Sequence, residues 1–196
     1  MEIITLSPYN VDTRAIERAG AALRAGKLVI YPTDSHPALA ADSLNTGAIA
    51  ELCRLKGVNP EKHTLTLVCD SIAMASQYAR IDNRAFQLIK RNVPGPFTFI
   101  LPPATTLPKV YKGRKEVGVR IPDNSIAEAL ASELGHPLLS GSIGLSDPIE
   151  LEHKVEMLLV DESAEYSAEP QSTAIVNLLD SSNPEVTREG PVDLSE

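Results

Sequence analysis

Apolar residues recur along this chain in two rhythms, one of period two and one close to period four, and their alternation predicts a mixed α/β protein. Met1 to Leu6 alternates and reads as an opening strand. From Thr13 to Ala25 the apolar positions fall at helical spacing, and Gly26 stops them. Leu28 to Tyr31 is an unbroken apolar run, the pattern of a buried strand, and it ends abruptly in Pro32 and three small polar residues. Helical spacing returns over Thr46 to Arg54, Asn83 to Asn92 and Ser125 to Leu134, with a shorter helix at Ile72 to Ala79. Strand patterns cover Thr64 to Cys69, Phe97 to Leu101, Val117 to Ile121, Pro137 to Ser140, Met157 to Asp161 and Ser172 to Leu178, and a last one is read at Glu185 to Arg188. Pro102 and Pro103 close the strand before them, because proline supplies no ladder donor. Ser125 is read as a helix cap and Gly135 as that helix's stop. The expected architecture is a single domain, residues 1–196 with a motif-bearing core at about 12–191, built as one twisted sheet of mixed parallel and antiparallel strands flanked by helices. The acidic, small-residue stretch from Asp161 to Gln171 is its loosest loop.

With 196 residues of which 43% are hydrophobic, the chain can bury one sizeable core. Eighteen Lys and Arg against 26 Asp and Glu give a net charge of -8. That excludes a uniformly basic surface for nucleic acid and leaves room only for a local basic groove. Cys53 and Cys69 lack metal-ligand spacing and read as buried, reduced thiols. No run approaches the roughly 20 apolar residues of a membrane span, and the N-terminus shows no secretion signal. The expectation is a soluble, cytoplasmic protein.

Candidate chemistry sits at strand ends. Thr33, Asp34 and Ser35 follow a buried strand, where a ligand crevice forms in α/β sheets, although the same residues make an ordinary turn. Arg54 and Lys56 fall near a helix C-terminus, where cations complement the dipole or clamp a phosphate or carboxylate. Arg120 lies between Val119 and Ile121 in a strand and needs a partner, either a carboxylate of the protein or one of a ligand. Ser140 and Ser142 bracket Gly141 at the end of an apolar strand and could line an anion site. His36, His63, His136 and His153 are scattered without zinc spacing, and only His63 is placed to reach a site beside the basic loop. Neither a GxxxxGK[ST] loop nor a GxGxxG fingerprint occurs, so a nucleotide would bind by another architecture.

Taken together, YPTDS at 31–35, the basic-x-basic motif at 54–56, PGPFT at 94–98, VGVRIP at 117–122, PLLSGS at 137–142, STAIV at 172–176 and REG at 188–190 resemble the YrdC-like family, which contains the L-threonylcarbamoyladenylate synthases. The resemblance covers nearly the whole chain and is strongest to the YciO branch. It implies a YrdC-like (DHBP synthase RibB-like) fold with a large concave, positively floored groove. In the synthases that groove takes ATP, L-threonine and bicarbonate with magnesium. Threonine's amine is carboxylated, and the carbamate attacks the α-phosphorus and releases pyrophosphate. The product feeds t6A modification at position 37 of tRNA, together with other proteins of that pathway, and family members are also described as binding double-stranded RNA.

Carried over residue by residue, the resemblance implies that Thr33, Ser35, His63, Arg120, Ser140 and Ser172 hold threonine or its carbamate. Arg54, Lys56, Thr98, Ser142 and Arg188 would lie on the nucleotide side, with Arg54 and Lys56 supplying the catalytic cations. No protein metal site is implied, since magnesium arrives with ATP. Three departures point to the YciO branch. The family's Lys-x-Arg reads Arg54-Leu55-Lys56, its Ser-x-Asn reads Ser142-Ile143-Gly144, and Pro37 stands where the synthases carry tyrosine. The alternative reading is a noncatalytic protein that uses the basic groove for duplex RNA or tRNA.

Overall fold

The computed structural model describes residues 1–105, 111–142, 151, 153–165 and 172–195. In chain order the strands are β1 (Glu2–Leu6), β2 (Leu28–Tyr31), β3 (Ala38–Asp42), β4 (Thr66–Val68), β5 (Phe97–Leu101), β6 (Val117–Arg120), β7 (Leu138–Ser142), β8 (Val155–Asp161), β9 (Ala174–Asn177) and β10 (Glu185–Arg188). The helices are α1 (Thr13–Arg24), α2 (Thr46–Lys56), α3 (Ile72–Ala75), α4 (Asn83–Asn92) and α5 (Ser125–Leu134). The ten strands form one mixed sheet in the order β1-β8-β2-β3-β7-β4-β6-β5-β9-β10.

Polar side chains start the helices where the sequence places them. Asp12 accepts from the amide of Arg14, Asn45 from that of Ala48, and Asp82 from that of Ala85, each satisfying a donor the helix leaves unpaired. At α5 the cap is Asn124, which accepts from both Ile126 and Ala127, and the expected cap, Ser125, instead donates to the Pro8 carbonyl. The longer reach of an asparagine amide gathers both orphan amides at once. α2 runs two residues beyond the expected Arg54 and ends at Gly57, whose φ of 63° is the left-handed stop that glycine adopts without strain.

β3 has no counterpart among the expected strands. Its sequence, ALAAD, carries no β-branched or aromatic residue. All five residues are buried, because β3 lies antiparallel between β2 and β7 in the middle of the sheet. Position in the sheet overrides propensity here.

Alternation along the strands divides the core into two. Leu28 and Ile30 of β2 join a cluster with Leu52 of α2 and Ile89 of α4. Val29 and Tyr31 point the other way, into a cluster with Leu23 of α1 and Leu130 of α5. Among the described residues, no buried apolar residue of β5, β6, β9 or β10 joins that second cluster. Helices α1 and α5 therefore cover only part of the second face, and the rest is left for polar side chains. Also among the described residues, no helix is long and apolar enough to cross a membrane.

β3 ends on Asp42, which accepts from His136 Nε2 at 2.6 Å and from the Leu44 amide at 2.8 Å. Burial pushes this carboxyl up, but the hydrogen bonds from His136 and Leu44 and the charges of His136 and Arg24 outweigh it and hold the pKa below its ordinary value. Such a group stabilises the fold above its unfolded pKa, and the contribution is lost as pH falls through the lower folded value. Below about pH 4 the thermal midpoint of the wild type should therefore fall more steeply than that of Asp42→Asn. Parallel acid limbs for the two proteins would contradict this.

Candidate functional site: a cation-lined groove on the open sheet face

In β6 the two valines, Val117 and Val119, face the first core, so Gly118 and Arg120 face the opposite side. Strand register extends that side in both directions. Thr66 lies beside Gly118 and Ser140, while Thr98 lies beside Ile175, which in turn lies beside Arg188. Ser140, Thr66, Arg120, Thr98 and Arg188 thus emerge on one face and line a cavity of about 380 Å³ together with Lys56, Ser142, Thr173 and His63.

Arg120 is 6% exposed. Its Nη2 reaches Asp34 Oδ1 at 2.5 Å, Ser35 Oγ at 2.9 Å and Thr33 Oγ1 at 3.2 Å. The partner that the sequence left open is therefore a carboxylate of the protein. Asp34 is fixed in turn by the Asp123 amide at 3.0 Å. The Nε of Arg120 is buried without a hydrogen-bond partner, leaving an unmet donor on a cavity-lining cation. Thr33 closes its own turn: its hydroxyl donates to the His36 carbonyl at 2.6 Å and accepts from the Ser35 and His36 amides. Neither Thr33 nor Ser35 is among the cavity's lining residues, and both meet it through Arg120.

Arg188 is held by the Thr173 carbonyl at 2.8 Å and hydroxyl at 3.0 Å, and Thr173 lies 3.3 Å from Thr98 Oγ1. Burial, and then the nearby charge of Arg120, lower its pKa. Lys56 Nζ donates to the Ser142 carbonyl. Among the described residues, neither Lys56 nor Arg188 forms an ion pair, so the cavity holds three cations and Asp34 answers one of them. Tyr31 is fully buried and does not line the cavity, but it supports Ser140, which does. Its hydroxyl is 2.7 Å from Ser140 Oγ, and burial pushes its pKa up to about 12, so it remains a neutral hydrogen-bonding group.

Two of the expected residues lie elsewhere. Arg54 makes a two-pronged pair with Glu51, both contacts at 2.9 Å, on the exposed side of α2. Because α2 stays helical to Lys56, residues 54 and 56 project about 200° apart and cannot both face the groove. Ser172 is exposed and does not line the cavity. It has the strand parity of Ala174 and Val176, which face the core, whereas Thr173 and Ile175 face the groove. Counting back from those two apolar residues would have selected Thr173. Thr66, which lines the cavity, was also missed, since a lone threonine carries no sequence signal beyond strand propensity. Gly144 lies outside the described residues, as do residues 166–171 of the acidic loop. Arg54→Ala should cost less than about 1 kcal/mol of stability through the loss of its exposed pair with Glu51. Urea denaturation beside the wild type measures this.

A second cavity adjoins the first and shares His63 and Thr64 with it. Lys62, Lys112, Arg114 and Lys115 line it, with Glu61 and Glu116 between them. Among the described residues, no group of three or more His, Cys, Asp and Glu side chains is arranged to hold a metal ion.

The Sua5/YciO/YrdC family model, described as Telomere recombination, matches residues 21–190. The chain belongs to the Sua5/YciO/YrdC family. Relatives in this family include the protein of Escherichia coli K12 named "Uncharacterized protein YciO", 36% identical over 200 residues that span 96% of this chain and 95% of that one. The threonylcarbamoyl-AMP synthase of Halorhodospira halophila is 36% identical over 129 residues, 65% of this chain and 67% of its own. The crystal structure of E. coli YciO superposes with a TM-score of 0.85 over 98% of both chains at 34% identity. Pyrococcus abyssi Sua5 complexed with L-threonine superposes at 0.81 and 26% identity, over 97% of this chain and 58% of that longer one. The mixed α/β fold of the Sua5/YciO/YrdC family is thus the fold observed here.

Proposed function

We propose that the protein is an ATP-using enzyme of the threonylcarbamoyl-AMP synthase type, converting ATP, L-threonine and bicarbonate into threonylcarbamoyl-AMP and diphosphate in the service of tRNA modification at position 37. The observation that carries this reading is the groove itself: three cations lining one cavity, two of them without a carboxylate partner among the described residues and one with an unmet buried donor. Such a floor suits a polyphosphate and a small carboxylate together. The relatives named threonylcarbamoyl-AMP synthase and the threonine complex of Sua5 support the choice of substrates.

In this reading Lys56 and Arg188 meet the phosphate chain, with Thr98 and Ser142 beside it. Arg120, already oriented by Asp34, presents its remaining edge to the threonine carboxylate, and Ser140 and His63 border the amino-acid side. Threonine's amine takes up bicarbonate with loss of water. A carbamate oxygen then forms a bond to the α-phosphorus as the bond to the bridging oxygen breaks and pyrophosphate leaves. The chain supplies orientation and positive charge for this transfer rather than a nucleophile. Its hydroxyl and cationic donor set fits magnesium only as a passenger on the phosphates, where the ion neutralises accumulating charge. The test supplies purified protein with ATP, magnesium, threonine and labelled bicarbonate. Threonine-dependent release of pyrophosphate is expected, and its absence together with calorimetric silence toward ATP overturns the reading.

The adjoining basic cavity favours one second reading, binding of duplex RNA or tRNA. Four cations there form a local positive patch on a chain of net charge -8. Phosphate contacts predict an affinity that falls steeply with salt. Titration with tRNA at two salt concentrations separates the readings, and negligible binding at both removes this one.

A further inference from the structure

Arg188 reaches the groove from the least buried strand of the sheet. All four residues of β10 are exposed, and among the described residues β9 is its only strand partner. Between Val186 and Arg188 the register slips by one residue, so that Arg188 and not Thr187 stands beside Ile175. A slip of one residue exchanges the two faces of a strand. The bulge at Thr187 is therefore what delivers the guanidinium to the cavity, and Thr187 contributes only a 3.3 Å bond to the Ile175 carbonyl.

Stronger contacts follow the strand. Gly190 lies so close to the start of β9 that a Cβ there would sit 2.4 Å from the Ala174 nitrogen. Leu194 packs against the first core. Asn92, at the end of α4 and 6% exposed, then grips Ser195 from both sides: its Oδ1 accepts from the Ser195 amide at 2.8 Å and its Nδ2 donates to the Ser195 carbonyl at 2.8 Å. The same Nδ2 also meets the Leu88 carbonyl at 2.7 Å. A buried amide side chain that also bonds both backbone groups of a residue 103 positions away ties two segments together. Asn92 also immediately precedes the Val93–Pro96 loop that leads into β5 and to Thr98 in the groove.

We propose that Asn92 is a positioning residue for the groove: its clasp on Ser195 holds residues 189–195 down and so keeps β10 in the bulged register that turns Arg188 toward the cavity. This rests on the reading that Arg188 binds a ligand's anionic group. The probe is inorganic triphosphate, titrated calorimetrically into the wild type, Asn92→Ala, Arg188→Ala and the double variant, with hydrogen exchange measured over residues 185–188. Faster exchange in Asn92→Ala is expected, with a roughly tenfold loss of triphosphate affinity and no further loss in the double variant relative to Arg188→Ala alone. Ser195→Pro, which removes the amide that donates to Asn92 Oδ1 and leaves the Ser195 carbonyl and the buried asparagine in place, should shift both readouts in the same direction to a smaller extent if Asn92→Ala folds poorly. Unchanged exchange over 185–188 in these variants, or losses that simply add in the cycle, overturn the proposal. A wild type that binds no triphosphate overturns the reading of Arg188 instead, and the exchange measurement still judges the clasp.

Discussion

Arg120→Ala should destabilise the protein by about 3–5 kcal/mol, the cost of leaving a buried carboxylate without its cation. Asp34 and Arg120 are 10% and 7% exposed at the side chain, and 86 residues separate them. Removing the guanidinium strands Asp34 with the Asp123 amide as its other partner and takes away the group to which Ser35 and Thr33 are also bonded. Urea denaturation reads the loss, and the double variant Arg120→Ala with Asp34→Ala should recover part of it, because the uncompensated charge goes too. A loss under about 1 kcal/mol, the scale of exposed pairs, would mean that the pair contributes little and that Arg120 serves the ligand alone. Ligand affinity of the single variant must be measured on the folded fraction, since the two roles of this arginine overlap.

Lys56→Ala and Arg188→Ala should show the opposite profile. On the proposed reading each removes a charge-assisted hydrogen bond to the phosphate chain, worth about 1.5–3 kcal/mol, so ATP affinity should fall roughly ten- to a hundredfold. Neither side chain has a carboxylate partner among the described residues, so no buried charge is stranded and the urea midpoint should barely move. Affinity that survives both substitutions would place the nucleotide somewhere other than this cavity.

The contrast shows which parts of the site could be read from the chain. Arg120 stands out in sequence because a charge flanked by apolar residues within a strand needs a partner. Its partner does not, since nothing local links residue 120 to residue 34, and only the packing of the Pro32–Pro37 turn against β6 joins them. The helix rhythm located α2 but not its end. Two more helical residues than expected place Lys56 at the groove and send Arg54 to the opposite side. β3 escaped notice because alanine carries almost no strand signal, although its position in the centre of the sheet makes it fully buried. Thr173 and Ser172 differ by one place, and strand parity decides between them only once the core-facing side of β9 is known.

The strand order also governs how the chain can assemble. β8 lies between β1 and β2, so the residues at 2–6 and 28–31 meet their common neighbour only when residues 155–161 arrive. Contacts of such long sequence separation slow folding. On a ribosome the first 150 residues would leave the β2 edge open, a template for mispairing with other nascent chains. Refolding yield should therefore depend on concentration until that late segment closes the gap.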